Sequence, residues 1–232
     1  NMGEFVECVQ GISEACKYLD FPVVSGNVSF YNETKNKSIS PTPTIGGVGL
    51  IKNLNHVMTN NFKDIENNIL IIGKTLGHLY QSEFSREVLN FKEGPPPEIN
   101  LFNEKNNGMA VLNLITNKLV DSVHDISSGG ILVALSEMCI LNKIGALIKL
   151  PKNNIKIHDY LFGEDQSRYI IEVKEKNMNK VSKFLKDNNI YFEKIGITQK
   201  SSIEIKNIFK ADLIELEKLH KSWFINYFNE II

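Results

Sequence analysis

The chain has 232 residues, 42% hydrophobic and 23% charged, with a mean hydropathy of -0.15, a globular balance that excludes a disordered or fibrous protein. Its 26 Lys and Arg nearly cancel its 27 Asp and Glu, so no field is expected that would gather nucleic acid or an anionic membrane. No apolar run approaches the ~18 residues of a membrane span, and a soluble chain of one large or two small domains is predicted.

In chain order, residues 4–19 place Phe5, Val9, Ile12, Cys16 and Leu19 at helical spacing, predicting an amphipathic helix that Asp20 and Pro22 end. Residues 21–30 alternate, with Val24, Val28 and Phe30 on one side and Ser25, Asn27 and Ser29 on the other, the pattern of a half-buried strand. A polar loop of hairpin type over 31–40 leads to a Gly-containing strand over 43–51. The Asn-rich stretch 53–68 is read as a domain boundary, dividing the chain into 1–60 and 61–232.

The second unit alternates short strands with helices. Strands are expected over 69–73, 119–123, 144–150, 169–173 and 190–197, with helices over 101–115, 131–141 and 178–188. The Gly94-Pro95-Pro96-Pro97 turn is taken to open the first of these helices. A final helix over 210–232 carries Leu213, Leu216, His220, Trp223, Tyr227 and Ile231 on one face, a stripe read as core packing. This alternation predicts an α/β class fold, an α+β sandwich.

Three segments carry candidate chemistry. In Ser25-Gly26-Asn27-Val28-Ser29, glycine and asparagine are poor strand formers. Gly26 lets a ligand approach the backbone, while Asn27 and Ser29 present a carboxamide oxygen and a hydroxyl side by side, donors suited to hydrated Mg²⁺ and phosphate. A bulged edge strand with a solvated polar face explains the same pattern. In His124-Asp125-Ile126-Ser127-Ser128-Gly129-Gly130, Ser127 or Ser128 can cap a helix whose glycine N–H groups face an anion or a close strand; His124 and Asp125 form an acid–base pair or brace the turn. In Phe162-Gly163-Glu164-Asp165-Gln166-Ser167-Arg168, one of the two arginines suits a phosphate or an internal ion pair with Glu164 or Asp165.

The three cysteines, Cys8, Cys16 and Cys139, form no C-x-x-C pair. They argue against a disulfide framework or zinc site and fit a reducing cytoplasm. Residues 1–5 show neither a basic nor an apolar leader region, so no signal peptide is expected. Walker-type, nucleophile-elbow and dinucleotide motifs are absent from the sequence.

The block from Ser25 to Glu33, then Pro41-Thr42-Pro43-Thr44-Ile45-Gly46-Gly47-Val48-Gly49, Gly94-Pro95-Pro96 and the His124 to Gly130 turn together resemble the phosphoribosylformylglycinamidine synthase family, in its synthetase subunit and over its C-terminal third. The resemblance implies an aminoimidazole-ribonucleotide-synthase-like architecture. Residues 1–60 would then be the tail of a second N-terminal-type domain and 61–232 a complete C-terminal-type domain.

It also implies an ATP-dependent amidotransfer in purine biosynthesis, with formylglycinamide ribonucleotide as substrate and Mg²⁺ as cofactor. Ammonia would come from a separate glutaminase subunit, with a small accessory subunit as a further partner. Residue by residue, Gly26 would contact ATP, Asn27 would ligate Mg²⁺ and Ser29 would contact the ribonucleotide. The family's catalytic base lies in the part this chain lacks, so no catalytic residue is carried over and the chain alone is expected to be inactive. Glu164-Asp165-Gln166-Ser167 departs from the Ser-Glu-Ser pattern of the family, which weakens it as a ligand site. A non-catalytic nucleotide-binding or subunit-docking module is the alternative reading.

Overall fold

The structure is a computed structural model and describes residues 2–29, 33–35, 37–40, 42–151 and 154–231. Contacts divide the chain into two compact units, Asn1–Lys52 and Asn53–Ile232.

In the first unit, helix α1 (Met2–Leu19) forms where the apolar spacing predicts it, but none of its residues is buried. The backbone N–H of Phe21 returns to the Cys16 carbonyl at 2.9 Å and closes its end. Strands β1 (Glu33–Thr34) and β2 (Lys37–Ser38) pair antiparallel inside the stretch read as a hairpin-type loop. The two longer strands do not form. Residues 21–29 and 42–51 have no regular structure, and Val24 and Val48 are each 92% exposed. A strand needs a neighbouring strand for its backbone groups and a surface for its apolar face; among the described residues no strand pairs with either segment, and Val24 and Val48 face solvent. Phe30, Tyr31, Asn32 and Pro41 lie outside the described residues.

The second unit is an α/β sandwich. Its strands are β3 (Asn68–Ile72), β4 (Ser122–Asp125), β5 (Ile144–Ile148), β6 (Tyr169–Val173), β7 (Phe192–Lys200), β8 (Ser202–Ile205) and β9 (Phe209–Asp212). They form one sheet in the order β4-β6-β3-β7-β5-β8-β9. Only the β5–β8 pairing is parallel.

The central strand β3 reads Asn-Ile-Leu-Ile-Ile and is buried throughout, because helices cover both faces. Ile69 and Ile71 enter one core with α4 (Gly130–Ile140) and α5 (Ile157–Phe162), through Ile131, Leu135, Met138 and Leu161. Leu70 and Ile72 enter the other with α3 (Leu101–Thr116) and α6 (Glu175–Asp187), through Val111, Leu114, Val181 and Leu185. The period-2 alternation of β-structure thus serves two apolar layers.

Several boundaries differ from the sequence reading. Asn100 caps α3, accepting the Asn103 N–H at 3.0 Å on its side chain, so the proline turn does not open it. The 119–123 strand is displaced to β4, and β8, β9, α5 and the short α2 (Glu83–Glu87) were not anticipated. The Asn-rich stretch is pinned at its end: Asn61, Asn67 and Asn68 are buried. The carboxamides of the last two are satisfied inside the fold, with Asn67 Nδ2 donating to Glu172 at 2.8 Å and Asn68 Nδ2 to Glu175 at 2.9 Å.

The last helix, α7 (Leu213–Ile231), also departs from expectation. Leu213 is buried and Leu216 packs on the core, but Trp223 is 63% exposed and Tyr227 49%. Among the described side chains the stripe is core at its first turn only; the side chain of Ile231 lies outside them.

Candidate functional site

Gly26, Asn27 and Ser29 lie on exposed, irregular backbone in the first unit. A Cβ placed on Gly26 would meet nothing within 4 Å, so within this unit no neighbour requires a glycine there. The groove of about 420 Å³ in this unit runs along α1, between Ile12, Cys16 and Pro22, and does not include these residues. What Asn27 offers is a carboxamide oxygen open to solvent; a Mg²⁺ held there would need its other oxygens from phosphates, water or other residues. Among the described residues no three His, Cys, Asp or Glu side chains are placed to hold a metal ion.

In the second unit the two other segments meet. The backbone N–H of Ile126 donates to the Arg168 carbonyl at 2.9 Å, laying the 124–130 turn against the 162–168 turn. Gly129 stands at the N-cap of helix α4, with a left-handed φ of 82° and no side-chain capping bond. Neither Ser127 nor Ser128 caps it, contrary to expectation. Gly130 follows at φ 70°, where an added Cβ would lie 2.7 Å from the Phe162 carbonyl carbon. That crowding, together with the left-handed backbone, is why two glycines stand in succession.

The anion that these N–H groups face belongs to the chain itself. Glu164 Oε1 accepts the Gly129 N–H and the Glu83 N–H, each at 2.8 Å, while the Gly130 N–H goes to the Ser127 carbonyl at 3.1 Å. The next residue repeats the arrangement. Asp165 Oδ2 accepts from the Leu76 and Gly77 N–H groups at 2.9 Å, and Oδ1 from the His78 N–H at 3.1 Å. A carboxylate surrounded by convergent backbone donors occupies the position a phosphate would take.

Arg168 is fully buried and held internally. Its guanidinium donates to the Gly163 carbonyl at 2.6 Å, the Asp165 carbonyl at 3.0 Å and Thr75 Oγ1 at 3.2 Å, and lies 3.7 Å from Asp165 Oδ2. Burial pushes its pKa down, opposed by the charges of Asp165, Tyr160 and Glu164. Of the two readings of Arg168, the internal ion pair is the one the geometry contains. His124 is likewise braced, with Nε2 at 2.8 Å from Glu137 Oε2 and Nδ1 at 3.3 Å from Asp125 Oδ1.

Beside this knot is a cleft of about 240 Å³ lined by Glu104, Asp125, Ser127, Gln166, Ser167 and Tyr169 among others. Burial raises the pKa of Glu104, partly offset by a hydrogen bond from the Ser167 backbone, and burial with the nearby Glu104 and Asp125 raises that of Tyr169. Because the folded pKa of Glu104 lies above its unfolded value, the folded state holds the proton more tightly, and stability falls as pH rises through the folded pKa. Glu104→Gln is therefore expected to raise the melting temperature at pH 7 and above, with the gain vanishing toward pH 4. Thermal unfolding followed across that range checks the direction; an unchanged difference at every pH would contradict it.

These features define a class. AIR synthase related protein, C-terminal domain, matches residues 66–206, and AIR synthase related protein, N-terminal domain, matches residues 1–51; the chain belongs to the AIR synthase related family. Within it, the chain is 53% identical over 98% of its length to phosphoribosylformylglycinamidine synthase subunit PurL of Pelagibacter ubique, and 44% identical over 98% to that of Nitrobacter winogradskyi. In each case it spans 31% of the relative's length. Among solved structures, Thermotoga maritima PurL complexed with FGAR superposes with a TM-score of 0.58 at 16% identity, over 71% of this chain and 30% of that one. PurLQS from the same organism gives 0.55 at 16% identity, over 71% and 28%. At that identity the likeness is one of fold.

Proposed function

We propose that this chain is the C-terminal portion of the synthetase subunit of a phosphoribosylformylglycinamidine synthase, an ATP-dependent ligase of purine biosynthesis. The observation that carries the reading is 53% identity to a protein of that name over 98% of the chain. On this reading residues 1–60 are the tail of an N-terminal-type domain whose sheet neighbours lie in the preceding polypeptide, and 61–232 are a C-terminal-type domain. The exposed backbone of residues 21–29 and 42–51, without regular structure, suits segments whose sheet neighbours lie elsewhere.

The substrate is formylglycinamide ribonucleotide. The amide oxygen takes the γ-phosphoryl group of ATP, releasing ADP; ammonia then adds to the iminophosphate carbon, and the C–O bond breaks to release phosphate and leave the amidine. The chemistry needs charge neutralisation and positioning more than covalent help. Mg²⁺, when bound, supplies the neutralisation. Gly26 gives the nucleotide close access to the backbone, Asn27 offers its carboxamide oxygen to the metal, and Ser29 offers its hydroxyl to the ribonucleotide. The Thermotoga PurL was solved in complexes with ATP, ADP and FGAR and as PurLQS. This supports the same ligands and further subunits as partners, which on the present reading are an ammonia-supplying glutaminase and a small accessory subunit. Among the described residues no helix is long and apolar enough to cross a membrane; a cytoplasmic place for the enzyme follows from the synthetase reading.

The test has two arms. The 232-residue chain with Mg-ATP, the ribonucleotide and ammonium chloride is expected to form no amidine, and the full-length polypeptide to form it. In the full-length polypeptide, Asn27→Ala is expected to lower kcat/KM about 10- to 100-fold and to raise the Mg²⁺ needed for half-maximal rate. Amidine formation by the short chain, or an Asn27→Ala enzyme with unchanged rate and Mg²⁺ requirement, would overturn the assignment it tests.

A further inference from the structure

The second half of α7 stands apart from the core. Its first turn is anchored by buried Leu213 and by Leu216, and Glu217 pairs with Lys143 at 3.5 Å. Beyond that point Leu219, Trp223, Phe224 and Ile225 are all more than 60% exposed, and Tyr227 and Phe228 are about half exposed. The rings are ordered against one another rather than against the sheet. Trp223 stacks on Tyr227 with centroids 5.4 Å apart, and Phe224 meets Phe228 at 4.7 Å. An aromatic face of this kind costs free energy while it faces water and marks an interaction surface.

Its size indicates what covers it. Four rings of about 150–250 Å² each, roughly half of it available, offer about 400 Å². A stable dimer buries about 800 Å² per partner, whereas contacts between domains of one polypeptide begin at about 300 Å² per side. A covalently joined domain needs no larger patch, since linkage holds it at high effective concentration. The chain spans 31% of the length of its relatives, so about two thirds of such a polypeptide lies outside it.

We propose that the aromatic face of α7, centred on Trp223, Tyr227 and Phe228, is an intramolecular docking surface for the part of the same polypeptide that precedes this chain. This rests on the reading of the chain as a portion of a longer synthetase. The occupant is an apolar surface of that preceding part, flat enough to receive stacked rings.

The experiment uses the full-length polypeptide with Tyr227→p-benzoylphenylalanine, and separately Phe228→p-benzoylphenylalanine, irradiated alone and with the glutaminase and accessory subunits. Mass spectrometry of the crosslinked peptides is expected to place the dominant product of at least one variant within one polypeptide, on residues preceding the 232-residue segment. Dominant crosslinks from both variants to a second copy, to another subunit or within the 232 residues, or the absence of a peptide crosslink from both, would overturn the proposal. Amidine formation is assayed on the unsubstituted full-length polypeptide. Crosslinking as expected without that activity would count against the synthetase reading alone, and activity without the expected crosslink against the docking alone.

Discussion

Glu172→Ala is expected to be among the most destabilising single substitutions in the second unit, lowering its unfolding free energy by about 3–5 kcal/mol. Glu172 sits on β6 with no exposed surface. Its carboxylate gathers four donors from two directions. Oε2 accepts the Lys63 N–H at 2.9 Å and the Ser122 hydroxyl at 2.8 Å; Oε1 accepts the Asn67 carboxamide at 2.8 Å and the Asp64 N–H at 3.2 Å. Removing the side chain leaves the buried Asn67 carboxamide and Ser122 hydroxyl without this partner, each at a cost of about 1–3 kcal/mol, while the half-buried Lys63 and Asp64 N–H groups lose the anchor that holds their segment on the sheet.

The loss is local before it is global. The 61–68 segment is tied down by Glu172 and by Thr198, whose N–H donates to the Asn67 carbonyl at 2.8 Å, so amide exchange at Lys63 and Asp64 should accelerate first. Glu172→Gln keeps one acceptor and turns an amide toward two donors, and an intermediate loss of about 1–3 kcal/mol is expected. Urea unfolding midpoints check both variants. An alanine variant within 1 kcal/mol of the parent would show that water replaces the carboxylate.

How much of this was legible in the sequence depends on what each signal measures. The β3 and β6 runs were found because a strand buried on both faces is apolar at nearly every position, whatever its neighbours. The 21–29 alternation was equally clear and yet forms no strand, since alternation records the two faces a segment is built for and not whether its neighbours are present. The α7 stripe misled for the same reason: the spacing from Leu213 to Tyr227 shows one face of a helix, and only Leu213 and Leu216 reach the core. Strands β8 and β9, four residues each, are too short for periodicity to register.

At the site, the scarcity of arginine drew attention to Arg168, and its internal pairing with Asp165 was one of the two readings open. The role of Glu164 was not legible. The carboxylate lies 35 residues beyond the Gly129 N–H it receives, and no local pattern connects the two. Gly129 and Gly130 advertised an anion, and the sequence could not say that the chain supplies it.

The neighbouring Arg168 leads to the second large effect. Arg168→Met is expected to cost about 3–5 kcal/mol and Arg168→Lys nearly as much, because the site uses the shape of the guanidinium as well as its charge. Three nitrogens reach three different oxygens, on Gly163, Asp165 and Thr75, and a single ammonium at the end of a flexible stem cannot reproduce that fork. Methionine also removes the positive charge beside Asp165, but Asp165 keeps its three backbone donors from Leu76, Gly77 and His78. Much of the loss should therefore come from the Gly163 and Asp165 carbonyls left buried.

A double-mutant cycle with Asp165→Asn separates these contributions. A coupling of only about 1 kcal/mol is expected, small beside the cost of Arg168→Met alone, since the Arg168–Asp165 carboxylate separation is 3.7 Å while the carbonyl contacts are 3.0 Å or less. A lysine variant as stable as the parent would show that charge alone holds the turn. A coupling equal to the whole loss would move the weight from the carbonyls to the ion pair. In either case the 162–168 turn sets where Glu164 meets α4, so the same variants should shift the amide resonances of Gly129 and Gly130 even where unfolding is not yet measurable.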